Sequence, residues 1–93
     1  WNAGKIGPGR DLVGPYVEAF RSRGLRVGFY YSGANWTHPS YPSPFSRDFP
    51  SAWPDPDSQN ACLDECAAQL QELLTSYGTI DLLWWDGCMP QPF

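Results

Sequence analysis

Ile80-Asp81-Leu82-Leu83-Trp84-Trp85-Asp86-Gly87 decides the fold. An apolar run that closes on a carboxylate and a glycine reads as a buried β-strand with an acid at its C-terminal tip. In parallel α/β proteins that tip is where ligands bind and chemistry occurs. Alternation along the strand puts Asp86, Trp84 and Leu82 on one face, and Trp85, Leu83 and Asp81 on the other. Asp-Gly is also a common turn pair, so capping the strand end is the plain alternative role for Asp86.

Working back from this strand, Ser58 to Tyr77 reads as a helix. Cys62, Leu63, Cys66, Leu70, Leu73, Leu74 and Tyr77 form one apolar stripe, and Gly78 ends it. Before it lies a long loop, 33–57, carrying Pro39, Pro42, Pro44, Pro50, Pro54 and Pro56. That density of proline excludes a regular helix or a central strand, and a loop this long in a small domain is usually functional. Leu25 to Ser32 reads as a second strand. Gly28, Tyr30 and Ser32 share one face; Val27, Phe29 and Tyr31 share the other. The two adjacent tyrosines cannot both point inward, and Gly28 suits a crowded interior, which favours Tyr30 as the inward one. Arg10 to Arg23 reads as a helix with the stripe Leu12, Val13, Tyr16, Val17 and Phe20. Its start has two readings: Asp11 as the cap, or Gly14 as the cap with Pro15 in the first position. Gly24 ends it in a left-handed conformation.

The order helix, strand, helix, strand implies a parallel sheet in an α/β fold. Two such strands need neighbours on their outer edges. A complete (β/α)₈ TIM barrel takes about 250 residues and eight strands, so this chain would supply two of them. The rival, a doubly wound sheet, usually shows a glycine-rich phosphate loop between strand and helix. Gly7-Pro8-Gly9 lies before the first helix and lacks that spacing, so the barrel is preferred. The expectation is a partial catalytic barrel domain over residues 1–93, with 33–57 as an active-site-side loop. A strand tip so near the end of the chain suggests a fragment of something longer.

Composition narrows the function. The net charge is −4, and the few basic residues include Arg10, Arg21, Arg23 and Arg26 around one helix. No basic patch interleaves with aromatics, so nucleic acid is not an expected partner. No apolar run approaches the roughly 18 residues of a membrane span. Five tryptophans in 93 residues suit either a core or a carbohydrate site, where flat rings pack on sugar faces. Cys62, Cys66 and Cys88 read as small buried apolar residues. With the single histidine, His38, in a distant loop, they form no metal set. Asp48, Asp55 and Asp57 read as solvated turn acids. An acid above an aromatic floor, Asp86 over Trp84, suits glycoside chemistry, in which a carboxylate attacks or stabilises the anomeric carbon. Tyr30 could hydrogen-bond that carboxylate or a sugar hydroxyl. Trp36 and His38 leave the same sheet end in the loop and could rim the site. Retaining hydrolysis needs a second carboxylate, and no residue of the chain is a convincing partner for Asp86.

Four motifs in order resemble the catalytic barrel of the α-L-fucosidases of glycoside hydrolase family 29. Trp1-Asn2, Gly7-Pro8 and Arg10-Asp11-Leu12-Val13-Gly14 are similar to the family's run into a barrel helix. Arg23-Gly24-Leu25-Arg26-Val27-Gly28-Phe29-Tyr30-Tyr31-Ser32 resembles its next strand. Trp36, His38-Pro39 and Tyr41 resemble the loop beyond, and Leu82 to Gly87 resembles the strand that carries the nucleophile. Pro42 to Asp57 falls outside the likeness. The resemblance implies that Asp86 attacks the anomeric carbon of an α-L-fucoside to give a covalent fucosyl-enzyme, which water then hydrolyses with retention. It implies that Trp84 lines the fucose pocket and that Tyr30 orients the nucleophile. A fucosylated glycan would be the substrate and the remainder of the barrel the partner, with no cofactor or metal. The family's upstream sugar-binding histidines are absent, and its acid/base would lie beyond Phe93, so the 93 residues alone should be inactive and poorly stable. A secreted, periplasmic or lysosomal location is expected by resemblance. Another barrel glycosidase and a non-catalytic fucose-binding remnant are the rival readings.

Overall fold

Leu12 holds the cap position of the first helix, so neither Asp11 nor Gly14 is the cap, and Asp11, one residue before it, supplies the side-chain bonds. Its Oδ1 accepts from the Val13 N–H at 2.8 Å and its Oδ2 from the Gly14 N–H at 3.1 Å, which satisfies two donors that have no helical partner. A Cβ on Gly14 would stand 2.7 Å from that Oδ2, so glycine lets the carboxylate close in. Helix α1 runs Val13–Arg21, shorter at both ends than the pattern suggests. Pro15 is its third residue, where no helical bond is due, and the first such bond runs from Tyr16 N to Leu12 O at 3.4 Å. Asp11 and Pro15 are therefore compatible. At the far end Gly24 has φ +71°. Leu25 N donates to Phe20 O at 3.1 Å and Gly24 N to Arg21 O at 2.9 Å, the paired bonds of a Schellman turn.

The computed structural model describes residues 4–42, 53 and 55–86. Trp1, Asn2, Asp48, Gly87, Cys88 and most of the proline-rich stretch lie outside the described residues. Three further elements follow α1: β1 (Gly28–Ser32), α2 (Pro56–Thr75) and β2 (Leu82–Asp86). The chain is mixed α/β, and its two strands pair in parallel. The register sets Gly28 against Leu82, Tyr30 against Trp84, and Ser32 against Asp86. Leu25 to Val27 was expected to be strand and is not paired as one. Instead the Asp81 side chain takes the ladder's place: Val27 N donates to Asp81 Oδ2 at 2.8 Å, and Asp81 N donates to Val27 O at 2.8 Å. Val27 is fully buried, which for a valine side chain stabilises by about 1.5–3 kcal/mol.

Helix α2 begins two residues earlier than the pattern suggests. Pro56, counted with the loop by its residue type, occupies the first helical position, where a missing N–H costs nothing. Asp55 caps it, accepting from Ser58 N at 2.8 Å and from Ser58 Oγ at 2.9 Å. Both helices lie on one face of the sheet. There Tyr16 and Phe20, Tyr16 and Phe29, and Phe29 and Tyr77 stack with ring centres 4.6, 6.1 and 6.5 Å apart. Tyr31 meets Trp85 at 5.4 Å. Among the described residues, Val17, Val27, Tyr31, Tyr41, Cys62 and Cys66 are the buried hydrophobic ones. The Arg21 guanidinium at the end of α1 donates to the carbonyls of Tyr77 and Thr79, tying that helix to the turn before β2. The opposite face carries no helix among the described residues. Its side chains, Leu82, Tyr30 and Trp84, are 60%, 63% and 65% exposed.

Candidate active site

The parallel register brings the C-terminal tips of both strands to one end of the sheet, with Ser32 beside Asp86. Tyr30 stands opposite Trp84, one side-chain position below Asp86 on the same face. A tyrosine is long enough to reach a diagonal neighbour across a strand pair. Its hydroxyl does so, donating to Asp86 Oδ2 at 2.7 Å. That length fits a charge-assisted bond from a phenol to a carboxylate. The bond to Asp86 is also the main cause that raises the Tyr30 pKa above 10; desolvation and the negative charge of Asp86 add to it, and the Ser32 hydroxyl opposes it. Tyr30 therefore remains a proton donor across the neutral range. Trp84 lies next to this pair, its indole largely exposed on the open face. Trp85 turns to the helix side and packs on Tyr31.

Trp36 sits four residues past the end of β1, and the segment leading to it is ordered by local bonds. Ala34 N donates to Ser32 Oγ at 3.3 Å. Asn35 Oδ1 accepts from Thr37 N at 3.2 Å and from Thr37 Oγ1 at 2.8 Å, an Asx-type turn. Trp36 stands on that turn, 63% exposed, at the same end of the sheet as Asp86.

His38 lines a small cavity between the β1 tip, at Ser32, Gly33 and Asn35, and the α2 residues Cys62, Glu65 and Cys66. Its Nδ1 lies 3.1 Å from Cys62 Sγ and accepts from Ser40 N at 3.1 Å, and its Nε2 lies 3.2 Å from Glu65 Oε2. The structure thus brings Tyr30, Trp84 and Asp86 together, sets Trp36 at the same sheet end, and ties His38 to α2. Sequence reasoning did not find the partners of His38. The only usable signal was helical spacing, which puts Cys62, Cys66 and Glu65 near one another; nothing in it links them to a histidine across a proline-rich loop.

Cys62 and Cys66 are free and buried. Among the described residues no group of three His, Cys, Asp or Glu could hold a metal ion, and no helix is long and apolar enough to cross a membrane.

Fold and site together define the class: an α/β chain with an acid held by a phenol at the tips of two parallel strands, next to an exposed indole. Comparison with known proteins narrows this class. The α-L-fucosidase family profile matches residues 1–92. The tissue alpha-L-fucosidase of Homo sapiens is 36% identical over 87 residues, covering 94% of this chain and 17% of the human protein. The alpha-L-fucosidase of Branchiostoma floridae is 35% identical over 94 residues, covering 100% of this chain and 19% of its own length. That of Dictyostelium discoideum is 30% identical over 87 residues, covering 94% of this chain and 18% of its own. No solved structure gives a significant match. The chain belongs to the α-L-fucosidase family, and it spans less than a fifth of the length of these relatives.

Proposed function

We propose that this chain is the part of a retaining α-L-fucosidase barrel that carries the nucleophile, Asp86. The observation that carries the reading is the 2.7 Å bond from Tyr30 to Asp86 at the joined C-terminal tips of two parallel strands. In a (β/α)₈ barrel those tips face the substrate, and further strands would pair with the outer edges of β1 and β2. The open face with Tyr30, Trp84 and Leu82 would then point into the barrel.

In this mechanism one Asp86 carboxylate oxygen attacks C1 of a terminal α-L-fucosyl residue. The bond from C1 to the aglycone oxygen breaks, and that oxygen takes a proton from an acid contributed from outside this chain. A covalent fucosyl-enzyme results. Water, deprotonated by the same outside group, attacks C1, releases fucose and returns the carboxylate, so two inversions give net retention. Tyr30 fixes the attacking carboxylate and holds its own proton throughout. Trp84 packs on an apolar face of the sugar and excludes water. Trp36 rims the pocket from the loop. His38, bonded to α2, reaches the sugar only indirectly. The substrate is a fucosylated glycan.

The test is Asp86→Gly in the full-length protein, assayed on an aryl α-L-fucoside. Loss of turnover by about 10³-fold or more, with partial recovery on adding azide as an external nucleophile, is expected. Normal turnover by that variant would remove Asp86 from the role.

A further inference from the structure

One set of titratable and polar groups takes no part in the chemistry above, yet it is continuous from strand to loop. Tyr31 Oη donates to Gln69 Oε1 at 3.0 Å. Gln69 Nε2 donates to Glu65 Oε1 at 2.8 Å. Glu65 Oε2 faces His38 Nε2 at 3.2 Å. His38 Nδ1 faces the Ser40 N–H and the Cys62 thiol, each at 3.1 Å. The bonds are consistent in one direction only. The Ser40 N–H can only donate, so Nδ1 accepts, the imidazole proton sits on Nε2, and it points at the Glu65 carboxylate. The carboxylate accepts from both sides. Burial, with the nearby Cys66 and Glu65, pushes the Cys62 thiol up, so Cys62 keeps its S–H and donates to Nδ1. Nδ1 has one in-plane lone pair, so the Ser40 N–H and the Cys62 S–H share it, and the connected bonds favour a single arrangement in this half-buried site.

The relay joins three pieces that the active site needs in register. Tyr31 is the chain neighbour of Tyr30, which grips Asp86. Glu65, Gln69 and Cys62 belong to α2. His38 and Ser40 belong to the loop that presents Trp36. We infer that His38 is a positioning residue: through Glu65, Cys62 and Gln69 it anchors the loop to α2 and β1, and so holds Trp36 at a fixed place on the rim of the sugar site. It acts on substrate binding through Trp36 and does not touch the sugar. The inference rests on the reading of Trp36 as a rim residue.

Glu65 suits the test, because its side chain is 41% exposed and its loss should spare the fold. In the full-length enzyme with an aryl α-L-fucoside, Glu65→Ala should raise KM about three- to tenfold with kcat within about twofold. Glu65→Gln, whose amide oxygen still accepts from Nε2–H and whose amide nitrogen can donate to Gln69 once that amide turns over with the Tyr31 hydroxyl accepting, should restore KM to near the parent value. Trp36→Ala should raise KM at least as much, and adding Glu65→Ala to it should change nothing further, since the anchor has lost what it positions. A tightening of thiol access offers an independent check of folding: Cys62 should stay as slow towards a thiol reagent in Glu65→Gln as in the parent. An unchanged KM in Glu65→Ala beside a raised KM in Trp36→Ala overturns the anchor while sparing the rim reading. Fully additive effects overturn it equally. An unchanged KM in Trp36→Ala overturns the rim reading, and the anchor with it.

Discussion

At the scale of single residues, the proposed chemistry turns on the Tyr30–Asp86 bond. Tyr30→Phe removes one donor from a carboxylate and leaves the ring in place. A bond to a charged partner is worth enough that kcat/KM should fall about 10- to 100-fold, read on an aryl α-L-fucoside. The Tyr30 pKa is raised chiefly by the hydrogen bond to Asp86. The bond is therefore fully present below the ordinary tyrosine range and is lost only as pH rises through the higher folded value. Burial raises the Tyr31 and Tyr77 phenols as well, so tyrosinate absorbance should show several late-titrating phenols, and Tyr30→Phe should remove one of them. Alternation along one strand puts Trp84 on the face of Asp86, the fit of Gly28 to a crowded interior favours Tyr30 as inward on the other strand, and the register brings the three to one face. The partners of His38 depend on where a long proline-rich loop folds back. No periodicity encodes that, so they become visible only in three dimensions.

At the scale of elements, the helix and strand order is legible from hydrophobic period and from Gly24 and Gly78, both at positive φ. The ends are less so, and each shift has a side chain behind it. Asp81 substitutes for a backbone partner at Val27 and shortens the paired part of β1. Pro56 passes from loop residue to first helical residue because Asp55 caps in front of it. The Asp55 carboxyl is held below its usual value by the Ser58 N–H, then by the Ser58 hydroxyl. A depressed folded pKa means that this cap contributes above the ordinary carboxylate range and is lost as pH falls through the lower folded value. The protection factor for amide exchange at the first turn of α2 in the full-length protein, which corrects for the intrinsic pH dependence of exchange, should therefore fall on acidification, and Asp55→Ala should show the lower protection already at neutral pH. Equal exchange in both proteins at neutral pH would deny Asp55 the capping role.

At the scale of the whole molecule, the described residues form a one-sided unit. Helices and aromatic stacking cover one face of the sheet, while Leu82, Tyr30 and Trp84 stand open on the other. A retaining glycosidase needs two carboxyl groups about 5–5.5 Å apart. This chain offers the one gripped by Tyr30, and the proposed mechanism draws the second from outside it. The parallel pairing was legible from the alternation of helices and strands. How the sheet continues beyond these two strands is not specified by any pattern within the chain. The most direct measurement is covalent trapping in the full-length enzyme. A fluorinated fucosyl donor that forms the glycosyl-enzyme faster than water clears it should leave one fucosyl adduct per protein. Peptide mapping by mass spectrometry should place that adduct on Asp86. An adduct on any other carboxylate, or inactivation with Asp86 unmodified, would contradict the account.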